Sequence, residues 1–463
     1  MRQTDPNGNP FPSEAFVFGN KVWEHIDRDG ISMRGVFMIW LFLGLVTAPI
    51  HAQHWPQWRG PTANGVSESA TAPTHWSDTE HILWQTELAG SGTSSPVVWG
   101  DRVFVTAQIG GGPIDERGAQ FRGTRPAARL RSENASVTLV VQAIDLSDGQ
   151  PLWYYRFMAE GHLPTVHRNH NFATPSVATD GTHVVAWFGT GQLVVLDLNG
   201  TLRWSKHLGD EYGPFEVLWG HASSPVLHDD LIVLLCDHPA HAYILALDAK
   251  TGEERWMIDR GTGLRSYSTP LVITYQGRDE LIVNSSDRID SYALQTGAAL
   301  WHIGFPTQLG LPMPVFSDGI LYSSRGYTSG PYLAVRPGGT GDVSETHMLW
   351  RHPTRAPYIS SLLVLEGLVY MATENGILTV TDTSSGDIVW QERLGNVFAA
   401  SPVSANGHIY LLSEDGETVV ITAEREPRIV ARNQLPYRTL ASPAIVDGMI
   451  LIRSDHHLFC IGD

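Results

Sequence analysis

Hydrophobic and polar positions along the chain fall into short β-type runs, and the runs recur. Each recurrence opens on a small polar residue or a proline-bearing pair: Ser95-Pro96, Thr174-Pro175, Ser224-Pro225, Thr269-Pro270, Met313-Pro314, Ser361-Leu362, Ser401-Pro402 and Ser442-Pro443. An apolar run follows, such as Val97 to Trp99, and then a Gly-Asp or Asp-Gly turn, as at Gly100-Asp101, Asp180-Gly181, Asp318-Gly319 and Asp447-Gly448. Glycine there supplies the positive φ that tight hairpins need. A second strand of β-branched and aromatic residues comes next (Val103 to Val105, Ile320 to Tyr322), then a polar turn and a third strand such as Tyr243 to Leu247. A Thr-Gly-type turn leads into a fourth. From the second opener onward the spacing is about 40 to 50 residues, the period of a four-stranded propeller blade. The pattern predicts an all-β, eight-bladed β-propeller of antiparallel blades, each covering its faces with its neighbours.

The fourth strands carry a frame, D-x-x-x-G-x-x-x-W, at Asp145 to Trp153, Asp248 to Trp256 and Asp382 to Trp390. It is one residue shorter at Asp197 to Trp204, and Ala293 replaces the aspartate before Trp301. An inserted GGTGDVSETH lengthens the copy ending at Trp350, and the seventh repeat, ITAEREPRIVARN, has no tryptophan. Large aromatics dominate cores of this kind, so blade-to-blade packing is the expected role. The eighth repeat, Ser442 to Asp463, stops after its third strand, while a spare strand at His81 to Leu88 precedes the first opener with Trp84 in the missing position. The N-terminal strand is expected to complete the last blade and leave the ring no free edge.

Composition narrows the function. Forty-five glycines and fifteen tryptophans in 463 residues suit a repeat protein with many tight turns. A net charge of -17 excludes a general nucleic-acid binder, which needs a basic excess. Val36 to Val46 is unbroken and apolar, preceded by Met33-Arg34 and followed by small residues up to Ala52. That is the build of a secretory signal, cleaved after Ala52, and the run is short for a membrane span. An uncleaved anchor is the alternative, and Met33 reads as the true start. The expected organisation is a leader at 1–52, an extension at 53–79 and the propeller at 80–463, in the periplasm or secreted. Cys236 and Cys460 fall in the third and eighth repeats, too far apart to bridge.

The repeats resemble the pyrroloquinoline-quinone-type β-propeller repeat, SP-V-x-DG-VY-x-G-x-L-x-ALD-x-TG-x-x-x-W; Tyr243 to Trp256, YILALDAKTGEERW, follows it closely. The resemblance covers residues 80–463. Two classes share the repeat: quinoprotein dehydrogenases, and non-catalytic propellers similar to the lipoprotein that supports outer-membrane β-barrel assembly. The opening WPQWRGPTANGVS, Trp55 to Ser67, resembles leaders of exported propellers of environmental bacteria. Resemblance to the dehydrogenases implies pyrroloquinoline quinone, a vicinal cysteine pair, calcium held by oxygen ligands and a catalytic aspartate. No two cysteines are adjacent, and no motif assembles Asp237, Asp287 or Glu374 with Asn375 into a calcium site. P-loop, G-x-S-x-G, HExxH and kinase motifs are absent. The favoured reading is a non-catalytic binding or assembly scaffold of the cell envelope, without cofactor or metal; a quinone-dependent alcohol or sugar dehydrogenase is the alternative.

His167 with His170 and His238 with His241 each form H-x-x-H, but neither shows a third ligand at a diagnostic distance, so hydrogen-bonded loop histidines are expected. Strand alternation points to one face as the site. Loops between second and third strands share a face with the inter-blade linkers, and together they collect Arg168, His170, Asn171, His221, Asp237, Arg265, Tyr267, Arg325, Tyr327, Arg355, Tyr358 and Asn375, with Tyr437 and Arg438 beside them. The long insertion Gly110 to Glu133 is expected to overhang that face. Such a funnel mouth suits an extended peptide or protein partner of the envelope, or an anionic or hydroxyl-rich small ligand, held by arginine donors. A ring closed by its own chain is expected to be monomeric.

Overall fold

A computed structural model describes residues 54–463 apart from 70, 112–135, 162, 165, 168, 214 and 327–329. The expected signal peptide, the Met33 start and nearly all of the Gly110 to Glu133 insertion lie outside the described residues. So do Arg168 and Tyr327.

Among the described residues eight sheets follow one another along the chain. In the first blade Val97–Trp99, Arg102–Ile109, Thr138–Asp145 and Pro151–Met158 pair in order, each antiparallel to the last. The second to seventh blades repeat this, and one short helix, Leu208–Tyr212, follows the second. Burial changes with distance from the axis. Leu231–Asp237, a second strand, is buried at every residue because neighbouring blades cover both faces. Glu254–Gly261, an outer strand, alternates between solvent and core. The inserted stretch before Trp350 supplies a two-residue strand, Gly341–Asp342, that lies parallel to the outer strand of the fourth blade, Ala299–Gly304, and covers its edge.

The ring closes as the sequence predicts. Ile82–Glu87 pairs antiparallel with His457–Ile461, setting Trp84 opposite Cys460, and becomes the outer strand of the eighth blade. Arg453, buried on the second strand of that blade, donates to the carbonyls of Ser94 at 3.0 Å and Thr106 at 2.7 Å in the first.

The tryptophan frame is a docking device between blades. Trp153 donates its indole N–H to the Leu198 carbonyl of the next blade at 2.9 Å, Trp204 to Ala249 at 2.9 Å, Trp256 to Leu294 at 3.0 Å and Trp350 to Thr383 at 2.8 Å. Each ring lies on the glycine of the next frame; a Cβ on Gly200 would sit 2.6 Å from Trp153. Just before the tryptophan the third and fourth strands slip register by one residue, as between Ala246↔Trp256 and Leu247↔Glu254. The exceptions have structural causes. Trp301 meets the insertion instead of a frame glycine, and donates to Glu280 of its own blade at 2.8 Å. The seventh blade has Ala431 in the tryptophan position, opposite Val420, and faces an eighth blade whose outer strand, Ile82–Glu87, is not joined to its third strand by a turn that could receive a ring.

Candidate functional site

The openers set the inner wall. The backbone N–H of Ser95 donates to Ser176 Oγ at 2.9 Å, Ser176 to Ser224 at 2.9 Å and Ser224 to Thr269 Oγ1 at 3.0 Å. On the far side Met313 donates to Ser361 at 3.0 Å, Ser361 to Ser401 at 2.9 Å and Ser401 to Ser442 at 3.0 Å. Each opener hydroxyl is thus the acceptor for the blade before it, which gives the small polar residue its reason. Met313 has no hydroxyl to offer Thr269. In the second blade the opener is Ser176 and not Thr174, two positions earlier, whose Oγ1 instead accepts from Thr93 at 2.8 Å.

Above this crown opens a cavity of about 730 Å³, and the N-terminal extension forms its floor. Trp55 exchanges backbone hydrogen bonds with Val98 of the first blade at 2.9 and 2.8 Å, and the Pro56 carbonyl accepts from Thr179 of the second. The chain then crosses the axis. Arg59, buried, donates to the Leu362 carbonyl of the sixth blade at 2.7 Å, Ser67 N to Ser404 of the seventh at 2.8 Å, and Ser67 Oγ to Ile445 of the eighth at 2.9 Å. Trp58 faces the cavity from this segment and donates to Ser442 Oγ at 3.4 Å. The motif Trp55 to Ser67 is therefore a floor that turns an axial channel into a blind funnel.

The mouth is built from inter-blade linkers and second-to-third-strand loops. Of the anticipated residues, His170, Arg265, Tyr267, Tyr358 and Asn375 line the cavity. Four others point into the protein. Asn171 Nδ2 donates to the Ser91 carbonyl at 3.0 Å. His221 is buried against Trp187, with Nδ1 3.3 Å from His238 Nε2. Asp237 is buried on Arg260 at 2.8 Å and accepts from Ser285. Arg325 is buried and donates to the Phe305 carbonyl at 2.7 Å and to Asn284. Short loops between buried strands leave backbone carbonyls and carboxylates without partners, and these side chains fill that need. Arg355 is exposed, at φ 80, away from the cavity lining. Arg438 bridges Asp455 at 2.8 Å and Asn169 at 3.2 Å, and Tyr437 packs on His457.

Residues outside the anticipated set of loop residues also line the cavity. Trp58, Trp219, Glu374 and Glu414 all face the cavity. Glu374 and Glu414 hold the same position after the second strands of adjacent blades, a regularity visible in Thr373-Glu374 and Ser413-Glu414. Burial and neighbouring His167 push the His170 imidazole down to about 3, so it stays neutral. Between the third and fourth blades, His228, Asp229 and Asp279 bring ligand atoms within 4.8 Å of one another, a grouping that no spacing in the sequence signals.

The donor set does not fit a calcium-held quinone. Asp237 is saturated by Arg260 and Ser285, Asp287 is exposed beside Arg288, and Glu374 accepts the Tyr358 N–H at 3.2 Å. Cys236 and Cys460 are separately buried thiols in the third and eighth blades.

An axially floored propeller with a loop-built funnel defines the class as a closed β-propeller ring with a cavity on one face. Residues 66–256, 137–310, 285–396 and 342–452 match the family described as outer membrane protein assembly factor BamB, and the chain belongs to that family. It is 21% identical over 321 residues to the BamB of Yersinia pestis, covering 68% of this chain and 66% of that one, so it spans about two thirds of that relative's length. BamB from Moraxella catarrhalis superposes with a TM-score of 0.56 at 14% identity, over 82% of this chain and 99% of that one. The quinohemoprotein alcohol dehydrogenase ADHIIG of Pseudomonas putida superposes with a TM-score of 0.63 at 12% identity, over 88% and 80%. At these identities the superpositions speak for the fold alone.

Proposed function

We propose that the protein is a non-catalytic scaffold of the cell envelope, exported by its N-terminal leader, that holds a protein partner or an extended segment of one at the funnel mouth, in the manner implied by outer-membrane assembly relatives. The observation that carries this reading is the mouth itself, where Arg265, Tyr267, Tyr358 and Asn375 stand together at the rim of a cavity with one open end. Aromatic and arginine side chains are the groups that most often anchor protein contacts. No helix among the described residues is long and apolar enough to cross a membrane.

The test is photo-crosslinking in the native cell from a benzoyl-phenylalanine placed at Tyr358, with the same probe at exposed Ile388 on an outer strand as control. A discrete adduct with an envelope protein from the first position alone, weakened by Arg265→Ala with Asn375→Ala, supports the proposal. Equal labelling from both positions, or none from either, overturns it.

A further inference from the structure

The depth of the funnel carries more chemistry than its mouth. Ser176, Ser224, Thr269, Ser401 and Ser442 each receive a backbone N–H from the preceding opener and face the cavity. All five are at least nine-tenths buried. A hydroxyl has one O–H and two lone pairs, and among the described residues none of these five O–H groups has an acceptor. The inner wall thus carries five hydroxyls that still have an O–H to donate, next to the floor made by Trp55 to Ser67.

The walls add two further features. Trp58, Trp219, Tyr267 and Tyr358 bring aromatic surface to the cavity, and Leu309 and Leu440 extend it. Carboxylates of Glu374 and Glu414 stand on one side and the guanidinium of Arg265 on the other, so there is no excess of positive charge to select an anion. A ligand that accepts from the wall hydroxyls, donates to the carboxylates and lays apolar C–H faces on aromatic rings is a neutral polyol ring. The volume of about 730 Å³ lies in the range of small-molecule pockets, which is about 300–1,000 Å³.

We infer that the blind funnel binds a neutral oligosaccharide of two or three pyranose rings, stacked on Trp219 and hydrogen-bonded to the opener hydroxyls and Glu374. This rests on the funnel being the recognition site but not on the partner being a protein. Sugar occupancy below a protein-binding rim would make the scaffold responsive to glycan in its surroundings.

The experiment is calorimetric titration of the purified protein with maltotriose, cellotriose and N,N′-diacetylchitobiose, with tryptophan emission followed in parallel. At least one sugar is expected to bind with Kd below about 1 mM, roughly 4 kcal/mol, with a shift in emission. Trp219→Ala and Glu374→Gln should each weaken it about tenfold. Glu374→Gln is isosteric, so it separates lost recognition from lost folding if the tryptophan variant melts early. No binding of any of the three at 10 mM, binding indifferent to both substitutions, or displacement of the sugar by an unstructured acidic peptide at lower concentration overturns the inference. Failure here with a successful crosslink at Tyr358 leaves the scaffold standing; sugar binding without a crosslink removes the scaffold and leaves the pocket.

Discussion

Trp84 donates its indole N–H to the Leu146 carbonyl at 2.8 Å, and its ring lies so close to Gly149 that a Cβ there would come within 2.6 Å of it. One partner belongs to the strand that closes the ring, the other to the first blade, so this contact seals the eighth blade against the first. The same tryptophan-on-glycine geometry recurs between Trp153 and Gly200, Trp204 and Gly252, Trp256 and Gly297, and Trp350 and Gly386. The repeated frame is therefore a statement about the junction between blades more than about the blade itself.

Gly149→Ala tests that reading directly. Gly149 has φ 73 and no room for a methyl group, whereas Gly100 has φ 58 and nothing within 4 Å of its missing Cβ. The expected loss is about 1 kcal/mol at Gly100, from backbone conformation alone, and about 2–4 kcal/mol at Gly149, where the Trp84 ring must also move. Chemical denaturation midpoints of the two variants measure the difference; equal losses would contradict the docking role.

Arg453 should be among the costliest single substitutions in the ring. Arg453→Met removes the donors that the buried carbonyls of Ser94 and Thr106 depend on and is expected to cost about 3 kcal/mol or more. Limited proteolysis should then cut first near the joined termini, while a surface change such as Arg428→Met, whose partner Glu424 is solvent-exposed, leaves the melting temperature within about a degree.

Ser176→Ala and Thr174→Ala distinguish the true opener of the second blade. Ser176 accepts the buried N–H of Ser95, and orphaning that donor costs about 1–3 kcal/mol. Thr174 is half-buried and exchanges bonds only with neighbouring loop groups, so its loss should be smaller. Reversal of that order by calorimetry would return the opener to Thr174.

His221 and His238 set an acid limit on stability. Their facing nitrogens are 3.3 Å apart, walled by Trp187 and Phe215 with His170 and His241 nearby. Burial lowers His221 well below its usual range and His238 to about 4. Below pH about 6.5 the unfolded chain takes up protons on both while the folded chain does not. Stability is thus fully present above that pH and falls as the pH drops toward 4, by about 2 kcal/mol per histidine at pH 5. Melting temperatures between pH 7.5 and 5 should show the decline, and His238→Asn should flatten it. An unchanged slope in that variant would contradict the assignment.

The blade count, the closing strand and the packing tryptophans were legible because each depends on local rules: alternation, turn glycines and a period. Opener position was legible to within two residues, and the face on which the cavity opens followed from strand direction alone. Side-chain direction within that face was not. Asn171, His221, Asp237 and Arg325 sit in the right loops yet turn inward, since the partners that draw them in, such as Ser91, His238, Arg260 and the Phe305 carbonyl, come from other segments.

By itself, then, the sequence determined the ring, because every blade repeats one solution to burying two apolar faces. Only the tertiary structure decided that Trp55 to Ser67 crosses the axis beneath a crown of opener hydroxyls. That arrangement brings together residues more than three hundred positions apart, such as Arg59 and Leu362, and no periodicity along a chain encodes what meets across the centre of a closed circle.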